Sequence, residues 1–212
     1  ENGKFSVVLP GYELPQIPTE LYMIGQDFGG WDWESEGVVP MIPVHSHEGA
    51  FWTTRYFTAG SGFKFCAKRA WDGDFFTLGD DYGFYTDGVN CYVEADGFYT
   101  IYVDLVNNII AVEPAAVYGI GDCFGSWDTY MESSRFTAEG RTLVSPATVA
   151  DGNLRMYVAA PSGVGYIDWW QMEFNIYDGI IVYRGAGDDQ EFVPVAADQK
   201  IVLDFNAGTG DI

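Results

Sequence analysis

Basic residues are scarce in this sequence, and their scarcity limits the partners that the chain can bind. The 212 residues include 10 Lys and Arg against 31 Asp and Glu, which gives a formal net charge of −21. Because phosphates and anionic headgroups attract cations, this charge argues against nucleic-acid binding and against unassisted adsorption to an anionic membrane. A neutral partner is not repelled, and each Lys or Arg in an unusual position becomes informative.

Cysteines are few, and long apolar runs are missing. Cys66, Cys91 and Cys123 form no Cys-x-x-Cys pair and are odd in number, so they support neither a zinc site nor a disulfide framework. We expect free, partly buried thiols, with one disulfide as the alternative outside the cytosol. No stretch approaches the run of about 18 apolar residues that a membrane-spanning helix needs.

The first twenty residues lack the basic start and the long apolar stretch of a secretory signal peptide. Instead, Pro10, Pro15 and Pro18 predict a stiff linker over residues 1–19. We therefore expect a mature fragment from which a preceding segment has been removed.

Recognised catalytic and metal-binding motifs are also missing. The chain has no Gly-x-Ser-x-Gly and no phosphate-binding loop. His45 and His47 suggest no third zinc ligand. Glycoside hydrolysis needs two suitably spaced carboxylates, but the duplicated pair Asp32 and Asp128 is better suited to capping a turn or binding a hydroxyl. We predict that the protein is not an enzyme and that it uses no metal or cofactor.

What the sequence does contain is an internal repeat. Residues 21–33, LYMIGQDFGGWDW, return as residues 117–129, VYGIGDCFGSWDT, with seven of thirteen positions identical. This period is too long for a solenoid unit and is typical of a duplicated small domain. We predict one module over residues 20–114 and a second over residues 115–212.

The pattern of short apolar runs predicts an all-β fold. Runs rich in aromatic and β-branched residues alternate with Gly, Asp and Asn, and helical periodicity is nearly absent. We therefore predict two tandem immunoglobulin-like antiparallel β-sandwich modules. Tight turns are expected at Asn107–Asn108 and at Gly208–Gly210. The predicted strands are 21–25, 51–58, 62–67, 90–94, 98–105 and 108–113, then 116–121, 142–149, 153–159, 171–176, 179–183 and 200–205.

Aromatic residues are unusually abundant and suggest a carbohydrate ligand. The 7 Trp, 14 Tyr and 15 Phe exceed what two small cores can hold, so some rings must lie at the surface. Indole faces pack against the C–H patches of sugars, while Lys, Arg, Asp, Asn and Gln side chains pair with sugar hydroxyls. In each copy a Trp follows a glycine-rich turn, at Trp31 and Trp127.

Each copy also places one cation among apolar strand residues. Strand alternation directs Lys64 away from its two Phe neighbours, onto an exposed sheet face, and Arg155 occupies the matching position in the second copy. A loop Trp follows each cation, after an eight-residue insertion near residues 161–165 in the second copy. As an alternative, these indoles are structural corners and the cations solvated strand residues. The predicted contacts are Trp31, Lys64, Trp71, Trp127, Arg155 and Trp170, with Trp33, Lys68, Trp169 and Tyr130 as flanking candidates.

The order of these features resembles the SusE/SusF-type starch-binding lipoproteins of Bacteroides-like bacteria. The resemblance covers residues 20–212. It depends on Gly29-Gly30-Trp31-Asp32 and Gly125-Ser126-Trp127-Asp128, then on Phe63-Lys64-Phe65 and the loop residue Trp71.

The resemblance implies β-sandwich carbohydrate-binding modules that hold α-glucan without cutting it and serve polysaccharide utilization. It implies a cell-surface location on the outer membrane through a lipid anchor outside this chain, beside a SusC-like TonB-dependent porin and its SusD-like partner. By the same resemblance, Trp31, Lys64 and Trp71 contact the ligand in the first module, and Trp127, Arg155 and Trp170 in the second. Because Leu-Arg-Met replaces Phe-Lys-Phe in the second copy, its ligand or affinity is expected to differ.

The leading hypothesis is therefore a non-catalytic protein with two glycan-binding sites that retains chains near an import channel. The alternative is a structural or adhesive pair of surface sandwiches whose rings pack between the modules. An enzyme is the third hypothesis, and it would release reducing ends from polysaccharide.

Overall fold

The chain folds into tandem arrays of antiparallel strands, which confirms the predicted fold class. The computed structural model describes residues 16–212, and none of these residues lies in an α-helix. Three short 3₁₀ helices are present among them, at Asp122–Phe124, Glu132–Ser134 and Trp169–Met172. Pro10 and Pro15 of the predicted linker lie outside the described residues.

The first module is a sandwich of two antiparallel sheets. Its strands are β1 (Tyr22–Gly25), β2 (Val39–Pro40), β3 (Ile42–Pro43), β4 (Ala50–Phe57), β5 (Phe63–Cys66), β6 (Tyr85–Thr86), β7 (Cys91–Tyr92), β8 (Gly97–Asp104) and β9 (Ile109–Pro114). One sheet has the order β2-β1-β5-β7-β6 and the other β3-β4-β8-β9. Their inner faces meet in one core, where Phe63 and Phe65 of β5 pack with Phe51 of β4 and Ile101 of β8.

The second module forms a similar sandwich from a folded sheet. Its strands are β10 (Val117–Gly119), β11 (Thr137–Glu139), β12 (Thr142–Val144), β13 (Gly152–Asn153), β14 (Met156–Val158), β15 (Glu173–Tyr177), β16 (Ile180–Tyr183), β17 (Pro194–Val195), β18 (Val202–Asp204) and β19 (Thr209–Asp211). The eight-stranded order is β10-β14-β15-β16-β19-β18-β12-β11. A single residue pair, Ile180 with Thr209, joins β16 to β19. Phe174 of β15 and Leu203 of β18 share one core, so the halves of the sheet face each other.

The first predicted tight turn is present, and the second lies earlier in the chain than predicted. Asn108 has a φ of 58° between β8 and β9, a left-handed conformation that Asn tolerates better than most residues. The Asp104 carboxylate accepts a 2.8 Å hydrogen bond from the Asn107 backbone N–H and thereby closes this hairpin. The second turn covers residues 205–208 and ends at Gly208, which has a φ of 72°, whereas Thr209 and Gly210 lie in β19.

The two modules share a continuous apolar interface. The Trp52 ring of the first module meets the Tyr183 ring of the second at a centroid distance of 5.3 Å and an angle of 89°. Both rings lie within or against the largest core cluster, which contains residues of both modules. Glu113 also accepts a 2.7 Å hydrogen bond from the Ser162 hydroxyl, in the loop inserted in the second copy. The modules are therefore packed against each other rather than only linked by the chain.

The three cysteines are buried free thiols. Burial in apolar surroundings raises the pKa of Cys91 and of Cys123, because it disfavours the charged thiolate. Among residues 16–212, no three His, Cys, Asp or Glu side chains are grouped as a metal site would require. Within the same range, no helix is long and apolar enough to cross a membrane.

Candidate functional site

The turn after β1 holds the first indole. Gly29, Gly30 and Trp31 have φ values of 79°, 60° and 64°, so three successive residues adopt the left-handed region. A side chain on Gly29 would approach Val38 Cγ2 to 2.8 Å, so this position requires glycine. For Trp31 the same backbone conformation costs about 1 kcal/mol. The surrounding turn therefore holds the half-buried Trp31 in place.

Trp71 completes the first aromatic platform, a name used here for Trp31 and Trp71. The two ring centroids lie 6.4 Å apart with planes inclined at 32°, and Trp71 is 51% exposed. Trp33 lies 5.4 Å from Trp71 in an edge-on arrangement, but it is buried. The prediction of Trp33 as a ligand contact is therefore corrected to a supporting position. Arg69 fixes this loop by donating from Nε to the Trp33 carbonyl oxygen over 2.8 Å.

Lys64 is paired in register with Ile24, which packs in the same cluster as Trp31, but it does not lie on an open face. The expected alternation along β5 is present, since Phe63 and Phe65 are in the core and Lys64 is not. However, Lys64 is only 9% exposed, and its Nζ donates a 2.6 Å hydrogen bond to Asp74. The prediction of an exposed cation was wrong. Phe75 forms a β-bridge with Phe65, and this pairing brings the neighbouring Asp74 to Lys64. The flanking candidate Lys68 is exposed and pairs with Asp72, also over 2.6 Å.

The second module holds its first indole with a different turn. After Gly121, which has a φ of 100°, the chain forms the 3₁₀ helix Asp122–Phe124. Asp122 accepts a 2.9 Å hydrogen bond from Trp127 Nε1 and thereby orients the ring. Trp127 is 56% exposed. In the second module, a 3₁₀ helix and a hydrogen bond of the indole therefore hold the ring in position. In the first module, the left-handed backbone conformation of Trp31 has this role.

Trp169, rather than Trp170, is the structural counterpart of Trp71. The Trp127 and Trp169 centroids lie 6.4 Å apart, and we call this pair the second aromatic platform. The guanidinium carbon of Arg155 lies 5.0 Å from the centre of the Trp169 ring. The predicted match of Trp170 with Trp71 is therefore corrected.

The local helix explains this correction. Trp169 and Trp170 are adjacent in the 3₁₀ helix Trp169–Met172, where successive side chains point about 120° apart. Asp168 caps this helix by accepting from the Trp169 backbone N–H over 2.8 Å. Trp170 consequently faces His45 of the first module, with 4.9 Å between ring centroids, and Arg184, whose guanidinium carbon lies 5.0 Å from its ring.

Beside the second platform lies a cluster of two arginines and two carboxylates. The fully buried Glu173 carboxylate accepts from Arg155 Nε over 2.7 Å and from Arg184 Nη1 over 3.0 Å. Asp189 bonds to both arginines, with a distance of 3.1 Å to Arg184 Nη1. The hydrogen bond and charge of Arg155, reinforced by the charge of Arg184, lower the pKa of Asp189 below its usual 3.8. Asp189 therefore remains charged near neutral pH.

Sequence reasoning missed Arg184, Glu173 and Asp189. Two signals pointed to them: Glu173 interrupts an apolar strand, and Arg184 is one of only 10 basic residues. The spacing of the three residues along the chain gave no indication that they would meet.

The cluster, Trp169 and Trp170 line an open groove that can bind a polar, ring-shaped ligand. A cavity of about 320 Å³ is lined by Arg155, Trp169, Trp170, Arg184 and Asp189. It adjoins a second cavity of about 350 Å³ that shares Arg184 and Asp189. Indole faces favour C–H surfaces, and the guanidinium and carboxylate groups can donate to and accept from hydroxyls.

Tyr130 flanks the second platform. It is 54% exposed, and its backbone N–H donates a 2.7 Å hydrogen bond to the Tyr157 hydroxyl. The Tyr157 ring lies under Trp169, with 6.3 Å between centroids. The structure therefore brings together Trp127, Arg155, Trp169 and, at the margin, Tyr130.

Comparisons with known proteins agree with this arrangement. A family model described as SusF/SusE starch specific CBMs (carbohydrate-binding modules) matches residues 20–111 and again residues 116–211. The chain is 36% identical over 214 residues to Outer membrane protein SusF of Bacteroides thetaiotaomicron, an alignment that covers 92% of this chain and 43% of that protein. The crystal structure of SusF from Bacteroides thetaiotaomicron superposes with a TM-score of 0.83 at 35% identity, covering 92% of this chain and 47% of that one.

The chain thus spans less than half the length of these relatives. The family model nevertheless matches nearly all of both repeats. The chain belongs to the SusF/SusE family of starch-specific carbohydrate-binding modules.

Proposed function

We propose that the chain is a non-catalytic binding protein with two sites for an α-glucan of the starch type. One observation carries the proposal: each module holds a pair of indoles with centroids 6.4 Å apart, together with an ion-paired cation. Trp71 and Trp127, at 51% and 56% exposed, keep large apolar surfaces in water. One strongly exposed indole in each module favours ligand contact over packing.

In the first site, Trp31 and Trp71 stack against sugar rings, and Lys64, held by Asp74, donates to hydroxyls from the side. The 2.6 Å ion pair fixes the direction of the ammonium group. Lys68 extends the polar margin of this site.

In the second site, Trp127 and Trp169 stack while Arg155 and Arg184 donate to sugar hydroxyls. Trp170 lines the same groove on the side of Arg184. The two guanidinium groups give this site more directional hydrogen-bond donors than the single Lys64 gives the first site. We therefore expect the second site to bind the glucan more tightly than the first.

A curved chain suits both sites better than a flat one. The indole planes are inclined at 32° in the first platform and at 59° in the second. Flat, cellulose-like chains favour coplanar rings, whereas a helically curved α-glucan presents successive sugars at an angle. This geometry supports starch fragments as the ligand class.

The biological setting is part of the proposal. The similar SusF is named an outer membrane protein. By analogy, we place this chain on the extracellular face of the outer membrane, anchored by lipid outside the present sequence. There the modules 20–114 and 115–212 retain glycan chains for uptake by a SusC/SusD-like complex.

Titration calorimetry with maltoheptaose, and with longer amylose fragments, tests the proposal. We expect weak binding of the short ligand and tighter apparent binding of chains that span both sites, because the second contact becomes intramolecular. Cellohexaose is the matched control and should not bind. Trp31→Ala combined with Trp127→Ala should abolish retention on insoluble starch. If neither starch nor another polysaccharide retains the protein, the proposal is wrong.

A structural or adhesive role is the second candidate, and the exposure of the indoles counts against it. The rings that pack between the modules include Trp52 and Tyr183, which belong to neither platform. Acrylamide quenching distinguishes the two roles, since exposed platform indoles are quenched readily and maltoheptaose should protect them. Efficient quenching without such protection would favour the adhesive role.

A further inference from the structure

The second site is built against the first module. Gly185, with a φ of 52°, brings the backbone after β16 close to Ile42 and Pro43 of the first module. Just before it, the Tyr183 hydroxyl lies 3.4 Å from Nη1 of Arg55, also of the first module. The segment that carries Arg184 therefore runs along the surface of the neighbouring module.

His45 of the first module contacts this segment directly. Its Nε2 lies 3.1 Å from the Gly187 carbonyl oxygen, and its Nδ1 lies 2.7 Å from the Ser46 hydroxyl. A ring protonated on Nε2 satisfies both contacts, because it donates to Gly187 and accepts from Ser46. The His45 ring also meets the edge of Trp170 at 68°.

The backbone of His45 adds two further contacts with the second module. Its carbonyl oxygen accepts from Gln171 Nε2 over 2.7 Å, and its N–H donates to the Gln171 carbonyl oxygen over 3.2 Å. Gln171 also accepts a 2.8 Å hydrogen bond from the backbone N–H of Asp168, the helix cap. The 3₁₀ helix that presents Trp169 and Trp170 is thus held at the module interface.

These contacts continue into the ligand groove. Trp170 lies between His45 and Arg184, and Arg184 shares Glu173 and Asp189 with Arg155. Through Gly187, His45 also holds the loop that carries Asp189. We propose that His45 of the first module is a positioning residue for the glycan site of the second module.

The physical reason is preorganisation. Without the imidazole, Trp170 loses its edge-on neighbour and the Gly187 carbonyl loses a hydrogen bond. Arg184 and Asp189 must then be ordered when the ligand binds, and this ordering lowers the affinity. Trp71, by contrast, packs on Trp31 and Trp33 of its own module. The second site therefore depends on a residue of the first module, whereas the first site does not depend on the second module in the same way.

The inference rests on the proposed function, and it is tested in the full chain with one site disabled at a time. In a Trp71→Ala background, calorimetry with maltoheptaose reports the second site. There, His45→Ala should weaken binding about tenfold, the scale of one lost hydrogen bond. His45→Gln keeps a donor and should recover most of the affinity. His47→Ala, two residues away, is the matched control and should change nothing.

A Trp169→Ala background reports the first site, and there His45→Ala should leave the affinity unchanged. An equal loss in both backgrounds, or no loss at the second site, would overturn the inference. If His45→Ala does not fold, His45→Phe supplies the test, because it keeps a ring beside Trp170 and removes the imidazole hydrogen bonds with Gly187 and Ser46. It should give a partial loss confined to the second site, and wild-type affinity there would overturn the inference.

A readout without ligand separates this inference from the proposed function. In the chain labelled with 5-fluorotryptophan, His45→Ala should shift the fluorine resonance of Trp170, assigned through Trp170→Phe, and leave that of Trp71 in place. If the parent chain binds no glucan, the proposed function fails, and this resonance alone decides whether His45 positions the ring. An unmoved Trp170 resonance refutes the positioning role in either case.

Discussion

The ring centroids of Trp127 and Trp169 lie 6.4 Å apart, the same separation that divides Trp31 from Trp71. The two modules reach this spacing by different means. In the first, a left-handed residue after two glycines holds the indole, and in the second a 3₁₀ helix and the hydrogen bond that the indole donates to Asp122 do so. Because two different turns give the same separation between the paired indoles, we infer that this separation is important for the function of both modules.

The first prediction concerns the tryptophan pair in the second site. Trp169→Ala should weaken maltoheptaose binding at that site about a hundredfold, because the indole contributes about 1.5 kcal/mol through its buried apolar area and on the order of 1 kcal/mol more by stacking on a sugar. Calorimetry in the Trp71→Ala background measures this loss. Trp170→Phe is the comparison, since it keeps a ring beside Arg184, and its effect should be smaller. The reverse order would return Trp170 to the position that the sequence first suggested.

The second prediction concerns the buried carboxylate of Glu173. Glu173→Gln removes the charge that two guanidiniums share, and breaking a buried ion pair in this way costs about 3 kcal/mol of stability. Urea unfolding measures the change, and binding at the second site should fall with it. Glu132→Gln is the matched control, because Glu132 pairs with Arg135 at an exposed position over 3.2 Å. That control should leave the free energy of unfolding nearly unchanged.

The sequence predicted the fold more completely than it predicted the candidate site. The long strands β4 and β8 were predicted within one residue of their ends, since aromatic and β-branched runs bounded by Gly and Asp are a strong local signal. Two-residue strands such as β2, β6 and β17 were missed. Their pairing depends on neighbours that are distant in the chain, which no local pattern records.

The site was predictable only where the signal was local. Trp31 and Trp127 lie in the repeated turn, and the repeat was the signal that identified both as members of an aromatic pair. The choice between Trp169 and Trp170 depended on a 3₁₀ helix of four residues, which a strand-based alignment does not anticipate. The burial of Lys64 depended on Asp74, which reaches it only after the chain crosses the sheet.

The third prediction follows from the lowered pKa of Asp189. Because the fold favours the charged form, this carboxylate contributes stability above its unfolded pKa, and the contribution is lost as pH falls through the lower folded value. Titration of the side-chain carboxyl carbon by NMR should give a midpoint below 3.8 in the native protein. Arg155→Gln should raise it, since the hydrogen bond from Arg155 is the main cause of the shift.

Asp87 is the internal control for that titration. Backbone N–H groups, that of Asn90 foremost, lower its pKa, and no arginine contributes to the shift. Arg155→Gln should therefore leave the Asp87 midpoint unchanged. A parallel rise of both midpoints would show a general loss of structure rather than the loss of one partner.

The fourth prediction concerns the cysteines. Cys66, Cys91 and Cys123 are buried, and burial raises the pKa of Cys91 and Cys123, so the native chain should react only very slowly with Ellman's reagent in mildly alkaline buffer. In guanidinium chloride, 3 thiols per chain should react. A single reactive thiol after unfolding would show instead that two have formed a disulfide.

The last prediction compares two lysines that form ion pairs of equal length. Lys64 and Lys68 each lie 2.6 Å from an aspartate, but the Lys64 side chain is 11% exposed and that of Lys68 is 55% exposed. Since water screens the second pair and only weakly the first, Lys64→Met should both destabilise the chain and weaken binding at the first site. Lys68→Met should do neither to a comparable extent. Calorimetry in the Trp169→Ala background and urea unfolding of both variants measure the difference. Equal binding losses would mean that the exposed charge of Lys68 contributes to ligand binding as much as the buried ammonium beside Asp74, and would contradict this prediction.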